Sequence, residues 1–303
     1  MAHPDATVVV PLAVPAPSAV LELFKPITWF APMWAFMCGV VSSDVSLASR
    51  WPLLIGGVLL AGPLICATSQ AVNDWFDRHV DAINEPRRPI PSGRIPGRLG
   101  LGIAIVWTLV SVAFSALLGK WVFWAAVLGL FLSWAYSAPP LRLKQSGWLG
   151  PAAVALSYEG LTWFTGAAVM TAGLPGPRIL FLAAAYSIGA HGIMTLNDFK
   201  AVEGDARMGI RSLPVTLGVE NAALIACTMM VLPQLVVAAR LTGWGHPVYA
   251  GIIGFLLFVQ ILLMTRLLRD PRRYAPWYNA TGTTLFVLGM LVCAVAVRTP
   301  GGG

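Results

Sequence analysis

Three carboxylates stand at helical spacing in the segment 73–93, which reads NDWFDRHVDAINEPRRPIPSG. If the preceding helix continues through it, Asp74, Asp77 and Asp81 fall on one helix face, with the Asn73 amide at its border. Stacked carboxylates repel one another, and negative charge at a helix C-terminus opposes the helix dipole. Mg²⁺ would offset both effects, because it combines one or two carboxylates with water and phosphate oxygens. The segment therefore predicts a Mg²⁺ site; the alternative is a solvated acidic helix end.

A second acidic segment, 197–214, also begins with Asn-Asp and reads NDFKAVEGDARMGIRSLP. Asp198 and Asp205 lie two turns apart if the helix persists, although Gly204 is positioned to end it, and Glu203 lies nearby. Two such clusters predict two halves of one site that holds two Mg²⁺ ions around a diphosphate. The predicted catalytic acids are Asp74, Asp77, Asp81, Asp198 and Asp205. The predicted metal ligands are Asn73, Asp77, Asp81, Asp198, Glu203 and Asp205.

Basic residues follow both acidic clusters, and two more lie in the loop YSAPPLRLK at 136–144. Guanidinium and ammonium groups would neutralise diphosphate oxygens, although the orientation of a membrane protein also concentrates such residues on one side. The sequence has no GxxxxGK[ST] loop, which argues against a nucleotide phosphate as the target. The predicted diphosphate-binding residues are Arg87, Arg88, Arg142, Lys144, Lys200 and Arg207.

The elements that position these residues must cross a membrane. Hydrophobic residues make up 57% of the 303 residues and charged residues only 11%, with a mean hydropathy of +0.74. This composition excludes a soluble globular domain and a disordered chain, and the net charge of +7 indicates membrane orientation rather than nucleic-acid binding. The four cysteines lie in apolar runs without CxxC spacing, which indicates core residues rather than disulfides or a zinc site.

Nine apolar runs are long enough to predict an all-α bundle of transmembrane helices. Residues 1–20 lack the features of a signal peptide and are predicted to be a flexible cytoplasmic tail, and 21–303 to be one membrane domain. The two Asn-Asp pairs lie four predicted helices apart, which suggests an internal four-helix repeat. The predicted helices are 27–43, 51–72, 99–118, 121–138, 148–171, 178–197, 220–239, 246–267 and 276–297.

Most Lys and Arg residues fall in the tail and in the loops after the even-numbered predicted helices. The positive-inside rule then places the N-terminus and both acidic segments in the cytoplasm and the C-terminus in the periplasm. Only five basic residues fall on the opposite side, and these are Arg50, Lys120, Arg178, Arg240 and Arg298.

The two acidic segments and the nine predicted spans resemble the UbiA superfamily of intramembrane prenyltransferases. Within it, NDWFDRHVDAINEPRRPIPSGRI, YSAPPLRLK and NDFKAVEGDARMGIRSLPV resemble the chlorophyll and bacteriochlorophyll synthase branch. The opening LELFKPITWFAPMWAFMCG is more similar to the bacteriochlorophyll enzymes of purple phototrophs. Many superfamily members carry DxxxD in the second motif, whereas this chain has Val202 four residues after Asp198, which leaves the metal ligands of that motif open.

The resemblance implies Mg²⁺-dependent esterification of the C17 propionate of bacteriochlorophyllide a with a C20 prenyl group from geranylgeranyl or phytyl diphosphate. It also implies a multi-pass protein of the inner or intracytoplasmic bacterial membrane that could join other pigment-biosynthesis or pigment-binding proteins. Chlorophyllide or another prenyl acceptor is an alternative. A cation-coupled transporter and a non-catalytic pigment-binding protein are different classes, disfavoured by acids at helix ends and by few histidines within spans.

Three residues are predicted to border the acceptor pocket: Tyr136, Glu159 and His191. Glu159 falls in the middle of a predicted span, where a carboxylate is costly and usually faces a cavity, although a buried polar pair would also explain it. His191 could ligate the pigment magnesium or bond a neighbouring helix. His79 lies within the first acidic segment, two residues after Asp77, and is predicted to point away from the acidic face.

Overall fold

The computed structural model describes residues 14–298, which form helices and no β-strand. A helix satisfies every backbone polar group internally, which suits a chain this apolar to a bilayer. The helices are α1 (Pro17–Phe24), α2 (Phe30–Ser42), α3 (Leu47–Leu59), α4 (Ala67–Asn84), α5 (Leu99–Leu117), α6 (Lys120–Ser137), α7 (Leu149–Ala155), α8 (Leu161–Thr171), α9 (Pro177–Leu196), α10 (Val202–Arg207), α11 (Leu213–Leu217), α12 (Val219–Gly243), α13 (Pro247–Leu267) and α14 (Pro271–Arg298).

Two π-helical segments and two 3₁₀ turns connect some of these helices without a loop. The first π-helical segment, Leu60–Cys66, joins α3 to α4, and the second, Leu156–Gly160, joins α7 to α8. A 3₁₀ turn, Pro26–Trp29, leads into α2, and another, Asn197–Lys200, follows α9. Extra residues in a π-helical turn re-aim the side chains that follow, and such turns are frequent at functional sites.

Long helical segments occupy each of the nine predicted places in the described chain. Six of them have the length and apolar character needed to cross a membrane, so the chain is an integral membrane protein. The other three are shorter or carry polar and aromatic side chains, and a count of nine crossings stays a prediction. The six are Leu47–Asn84, Leu99–Leu117, Pro177–Lys200, Val219–Gly243, Pro247–Leu267 and Pro271–Arg298.

The short helix α1 overlaps the end of the segment predicted to be a flexible tail. It buries Ala19, Leu23 and Phe24 against α4 and α5, so residues 17–20 are helical and Ala19 is packed against the bundle. Lys25 ends the helix in the left-handed conformation, with φ of 46°. The rest of the predicted tail, residues 1–13, lies outside the described residues.

Glycines let the helices of the bundle approach closely. A Cβ atom on Gly39 of α2 would lie 2.0 Å from the Trp163 carbonyl oxygen, and one on Gly166 of α8 would lie 2.0 Å from that of Phe36. Because the hydrophobic effect does not drive helices together inside a bilayer, close packing at small residues is a main source of helix–helix association there. The pair fixes α2 against α8, and the largest apolar cluster then joins this pair to α9, α12, α13 and α14.

Candidate active site

A cavity of about 560 Å³ lies where α4, α6, α7 and α9 converge. Its polar end brings together Asn73 from the first acidic segment, Tyr136 from the end of α6, Lys144 from the loop between α6 and α7, and Asp198 and Asp205 from the second acidic segment. These elements come from distant parts of the chain. The sequence-based prediction that the two acidic segments form one site is therefore supported by their position.

The part of the first acidic segment that carries its aspartates is helical, because α4 continues to Asn84 rather than ending near residue 72 as the hydropathy alone suggested. Asp74, Asp77 and Asp81 accordingly follow one face of α4, and Asp74 and Asp81 are only 1% and 7% exposed. The Asn73 side-chain nitrogen donates to Asp77 Oδ2 at 2.9 Å and to the Ser137 hydroxyl at 3.2 Å. Asn73 therefore ties the acidic face to α6 at the cavity wall.

Each carboxylate on this face is paired with a cation. Lys25 Nζ lies 2.6 Å from Asp74 Oδ1, and Lys144 Nζ contacts Asp77 Oδ1. Arg88 reaches Asp81 Oδ2 at 2.8 Å and Asp74 Oδ1 at 3.5 Å through Nη1. The repulsion expected between stacked carboxylates is thus offset by cations of this chain, which come from α1, the α4–α5 loop and the α6–α7 loop.

The second acidic segment differs from the extended helix that its spacing allowed. Helix α9 ends at Leu196, and the 3₁₀ turn and a bend at Ala201 separate Asp198 from the short helix that carries Asp205. Gly204 lies inside that helix and does not end it. With the helix broken in this way, Asp198 and Asp205 both line the cavity.

Asp198 is half-buried and Asp205 is 8% exposed, and neither forms an ion pair with any residue in 14–298. Burial raises the pKa of the Asp205 carboxyl, and the neighbouring Ser212 hydroxyl opposes that rise. Asp77, Asp198 and Asp205 all lie near enough to the Tyr136 hydroxyl to act on it electrostatically. Three acids from both segments thus converge on one side chain of α6.

Glu203, which the sequence predicts as a metal ligand, is not brought into this group by the fold. Its side chain is 68% exposed and pairs with Arg272 of α14, whose Nη1 lies 2.6 Å from Glu203 Oε1. Residues two positions apart on an α-helix, such as Glu203 and Asp205, point in directions about 200° apart, and Asp205 is the one that lines the cavity. The ion pair instead fastens α10 to the start of α14.

Backbone hydrogen bonds join the second segment to the α6–α7 loop. Ser146 and Arg211 form an isolated bridge, in which Gly147 N–H donates to the Arg211 carbonyl at 2.8 Å and Arg211 N–H to that of Gln145 at 2.9 Å. A Cβ atom on Gly147 would lie 2.4 Å from the Leu213 nitrogen. The contact therefore requires glycine, and it holds the loop that carries Lys144 against the second acidic segment.

The predicted diphosphate-binding residues lie in different surroundings. Lys144 lines the cavity. Arg88 forms ion pairs with Asp74 and Asp81 of α4 and with Glu85. Arg87, Lys200 and Arg207 are exposed outside the cavity wall, which agrees better with membrane orientation than with binding. Arg142 buries its Nε without a hydrogen-bond partner in the described chain and has a φ of 38°.

The residues present fit Mg²⁺ bound together with a phosphate, although not a cage made by protein alone. Within residues 14–298, no three His, Cys, Asp or Glu side chains cluster closely enough to hold a metal by themselves. Mg²⁺ usually takes one or two carboxylates and completes its shell with water and phosphate oxygens. The unpaired carboxylates of Asp198 and Asp205, with Asn73 and Asp77 opposite, supply that donor set.

Of the three predicted acceptor-pocket residues, only Tyr136 lines the cavity. Glu159 is 7% exposed, lies outside the wall, and has an Oε2 atom without a hydrogen-bond partner in the described chain. His191 is also buried outside the wall, with its Nε2 atom 3.1 Å from the Trp148 carbonyl oxygen. The structure therefore does not bring Glu159 and His191 to the cavity wall, and their role at the acceptor pocket stays a prediction.

Sequence analysis did not identify Lys25, Gln70, Tyr158 and Asn197 as site residues. Gln70, Tyr158 and Asn197 line the cavity, and Lys25 reaches Asp74 from the end of α1. Gln70 has a sequence signal, because it precedes Asn73 by three residues and so extends the same helix face. His79, which the sequence predicts to point away from the acidic face, is exposed.

Comparison with known proteins agrees with this arrangement. The profile of the UbiA prenyltransferase family matches residues 28–289. The Bacteriochlorophyll synthase 33 kDa chain of Cereibacter sphaeroides is 58% identical over 288 residues, covering 95% of this chain and 95% of the relative. The protein of that name from Rhodobacter capsulatus is 53% identical, covering 94% of this chain and 95% of the relative.

Solved structures show the same fold. A UbiA homolog from Archaeoglobus fulgidus, bound to DMAPP and Mg²⁺, has a TM-score of 0.72 at 19% identity, covering 91% of this chain and 99% of the homolog. The profile match spans most of the chain and includes both acidic segments and the loop between α6 and α7. This chain belongs to the UbiA prenyltransferase family.

Proposed function

We propose that this chain esterifies the C17 propionate of bacteriochlorophyllide a with a C20 prenyl group from geranylgeranyl or phytyl diphosphate, releasing diphosphate with Mg²⁺ as cofactor. The observation that carries the proposal is the high identity to bacteriochlorophyll synthases along nearly the whole chain. Membership of a prenyltransferase family also argues against the transporter and the non-catalytic pigment-binding protein.

The cavity has two ends of different chemistry, as a prenyl diphosphate requires. One end carries Asp198, Asp205 and Lys144, and the wall continues toward the apolar side chains of Ile27 and Phe30. A diphosphate with its metal fits the first end, and an isoprenoid chain fits the second. The allylic carbon would then lie between them, within the reach of a second substrate.

Departure of the diphosphate needs charge neutralisation at its oxygens. Mg²⁺, when bound, would supply Lewis-acid stabilisation of the leaving group, and the residues that would hold it are Asp198, Asp205, Asn73 and Asp77. Lys144 contacts Asp77 and lines the cavity, so its ammonium group adds positive charge at the same place. The buried walls exclude water from the allylic cation that develops as the C–O bond breaks.

The attacking propionate needs no strong base. By analogy with side-chain carboxyls, whose pKa is about 4, it is already ionised near neutral pH. One carboxylate oxygen forms the new C–O bond while the electron pair of the old bond leaves with the diphosphate. A reaction that needs no base agrees with a cavity wall that, among the residues described, contains no histidine.

Removal of Mg²⁺ tests the proposed function directly. Purified protein in detergent or lipid, offered bacteriochlorophyllide a with each diphosphate, is expected to form the ester with Mg²⁺ and to lose activity when a chelator is added. Restoring Mg²⁺ should restore the rate, because the metal neutralises leaving-group charge in each turnover. Ester formation is measured by chromatography of the pigments, and chelator-resistant turnover would contradict the assignment.

The positive-inside rule supports the proposal that the site faces the cytoplasm of the bacterial cell. Most of the basic residues lie on the side of the two acidic segments. The N-terminus would then lie in the cytoplasm and the C-terminus in the periplasm. Accessibility of terminal tags to a protease in oriented membrane vesicles tests this orientation.

A conservative change at Glu159 separates a pocket residue from a structural one. Because its carboxyl lies outside the cavity wall, Glu159→Gln is expected to leave the KM of both substrates unchanged within about twofold. The neutral amide avoids the cost of a charge in the membrane interior, so thermal stability should be equal or higher. Steady-state kinetics and thermal unfolding in detergent measure both effects, and a selective rise in acceptor KM would restore the sequence-based prediction.

A further inference from the structure

A cluster of neutral polar side chains lines the cavity on the membrane side of the acidic residues. The Gln70 side-chain nitrogen donates to the Tyr158 phenol oxygen at 3.1 Å, and Cys66 Sγ lies 3.3 Å from the same oxygen. Thr28 Oγ1 lies 3.4 Å from Cys66 Sγ and donates to the Lys25 carbonyl at 2.8 Å. The cluster joins α4 to the second π-helical segment and to the turn before α2.

Both π-helical segments take part in this cluster. Cys66 is the last residue of the first segment, and Tyr158 is the middle residue of the second. Their contact is therefore the point at which the two irregular segments meet. π-Helical turns interrupt the regular α-helix and are frequent at functional sites. A contact between two such turns therefore indicates a functional role as well as a packing role.

The Tyr158 phenol has a proton without a strong acceptor. Its oxygen accepts a hydrogen bond from Gln70, so the phenol proton must point elsewhere. The other hydrogen-bond partner of this oxygen among residues 14–298 is Cys66 Sγ, whose thiol also donates to it, so the phenol proton has no acceptor among these residues. A donor left so poorly satisfied inside a membrane protein is costly unless a ligand oxygen completes it.

The position of the cluster indicates which substrate oxygen would accept the hydrogen bond from Tyr158. Gln70 lies three residues before Asn73 on α4, an axial rise of about 4.5 Å from the metal-binding end. An attacking oxygen must lie about 3–3.5 Å from the allylic carbon, which is itself bonded to the diphosphate. The prenyl chain has no hydrogen-bonding group at this level, whereas the acceptor carboxylate must be placed there to react.

We infer that the Tyr158 phenol, oriented by Gln70, donates a hydrogen bond to the non-attacking oxygen of the acceptor carboxylate and so determines acceptor specificity. This inference rests on the proposed function. The phenol keeps its proton throughout, while the other carboxylate oxygen forms the new bond and the diphosphate leaves with its electron pair. Tyr158 thereby favours a free carboxylate over an ester already formed.

The test compares Tyr158→Phe with a matched variant, Tyr186→Phe. Tyr186 likewise contacts a cysteine, with its phenol oxygen 3.2 Å from Cys293 Sγ, but it is fully buried and lies outside the cavity wall. The acceptor acid and its methyl ester are titrated against each protein, with binding followed by pigment fluorescence. Steady-state kinetics supply the KM of each substrate.

Wild type and Tyr186→Phe are expected to prefer the acid over the methyl ester equally, whereas Tyr158→Phe should lose about tenfold or more of that preference. Its acceptor KM should rise while its donor KM stays unchanged. An unchanged preference, or an equal rise in both KM values, would overturn the inference. If Tyr158→Phe does not fold, Gln70→Met should lower the same preference, and no loss there would also overturn it.

The outcome distinguishes this inference from the proposed function. Ester formation by wild type and by Tyr186→Phe reports whether the chain is the proposed transferase. The ratio of acid to ester binding reports Tyr158 alone, since it is measured without the prenyl donor. Absence of transfer by wild type would contradict the proposed function, whereas normal transfer by Tyr158→Phe with normal acid preference would contradict only the role of Tyr158.

Discussion

An Asp198→Asn variant is expected to lose about 1,000-fold or more in kcat, because a metal-bound leaving group is worth several kcal/mol and each tenfold costs about 1.4 kcal/mol. Asp198 lies on the cavity wall without an ion-pair partner in the described chain, so its charge is available to a metal. Asparagine keeps the size and one oxygen ligand but removes that charge. Turnover is measured at saturating pigment and donor over a range of Mg²⁺ concentrations.

The matched control is Glu220→Gln, which also neutralises one acid. Glu220 is exposed in the first turn of α12, away from the cavity, and its change should leave kcat within about twofold. The Asp198 variant should keep the thermal stability of wild type, because no ion pair is broken. Turnover like that of wild type at saturating Mg²⁺ would remove Asp198 from the site.

Asp77→Asn is expected to have a similar effect on turnover for a different structural reason. Asp77 receives the Asn73 amide and contacts Lys144, so it connects the acidic face of α4 to the cation on the cavity wall. Losing its charge weakens metal binding and also releases Lys144 from its position. We expect kcat to fall by about 1,000-fold and the concentration of Mg²⁺ needed for half-maximal rate to rise.

A second variant at the same contact separates the two contributions. Lys144→Met leaves the carboxylate of Asp77 in place and removes only the ammonium group. It should raise the donor KM more than it changes the dependence on Mg²⁺, since the ammonium faces the diphosphate end of the cavity. If Asp77→Asn and Lys144→Met instead change the same parameter equally, the ion pair is a structural contact.

Hydropathy and charge were sufficient to predict where the long helices lie, because an apolar run of this length has few other structures in a bilayer. They did not predict the end of α4, since the polar residues from Asn73 to Asn84 continue the helix beyond its apolar part. A helix end depends on local caps and tertiary contacts, such as those that Lys25 and Arg88 make with its carboxylates.

The acids of the site were predictable from their spacing, but their individual roles were not. Glu203 and Asp205 differ by two positions on a helix of six residues, and only the fold shows that one pairs with Arg272 while the other lines the cavity. Likewise, Tyr158 and Glu159 are neighbours in a π-helical segment, where irregular geometry removes the simple relation between position and direction. Sequence spacing assumed a regular helix in both places.

The backbone bridge between Ser146 and Arg211 has a consequence for synthesis of the protein. The chain through α8 contains the first acidic segment and Lys144, but Arg211, Asp198 and Asp205 emerge from the ribosome only later. Until then, the Gly147 N–H and the Gln145 carbonyl of the α6–α7 loop lack their Arg211 partner, and the cavity lacks one of its two acidic sides. The nascent chain therefore cannot begin chemistry on a reactive diphosphate before its second half has entered the bilayer and closed the site.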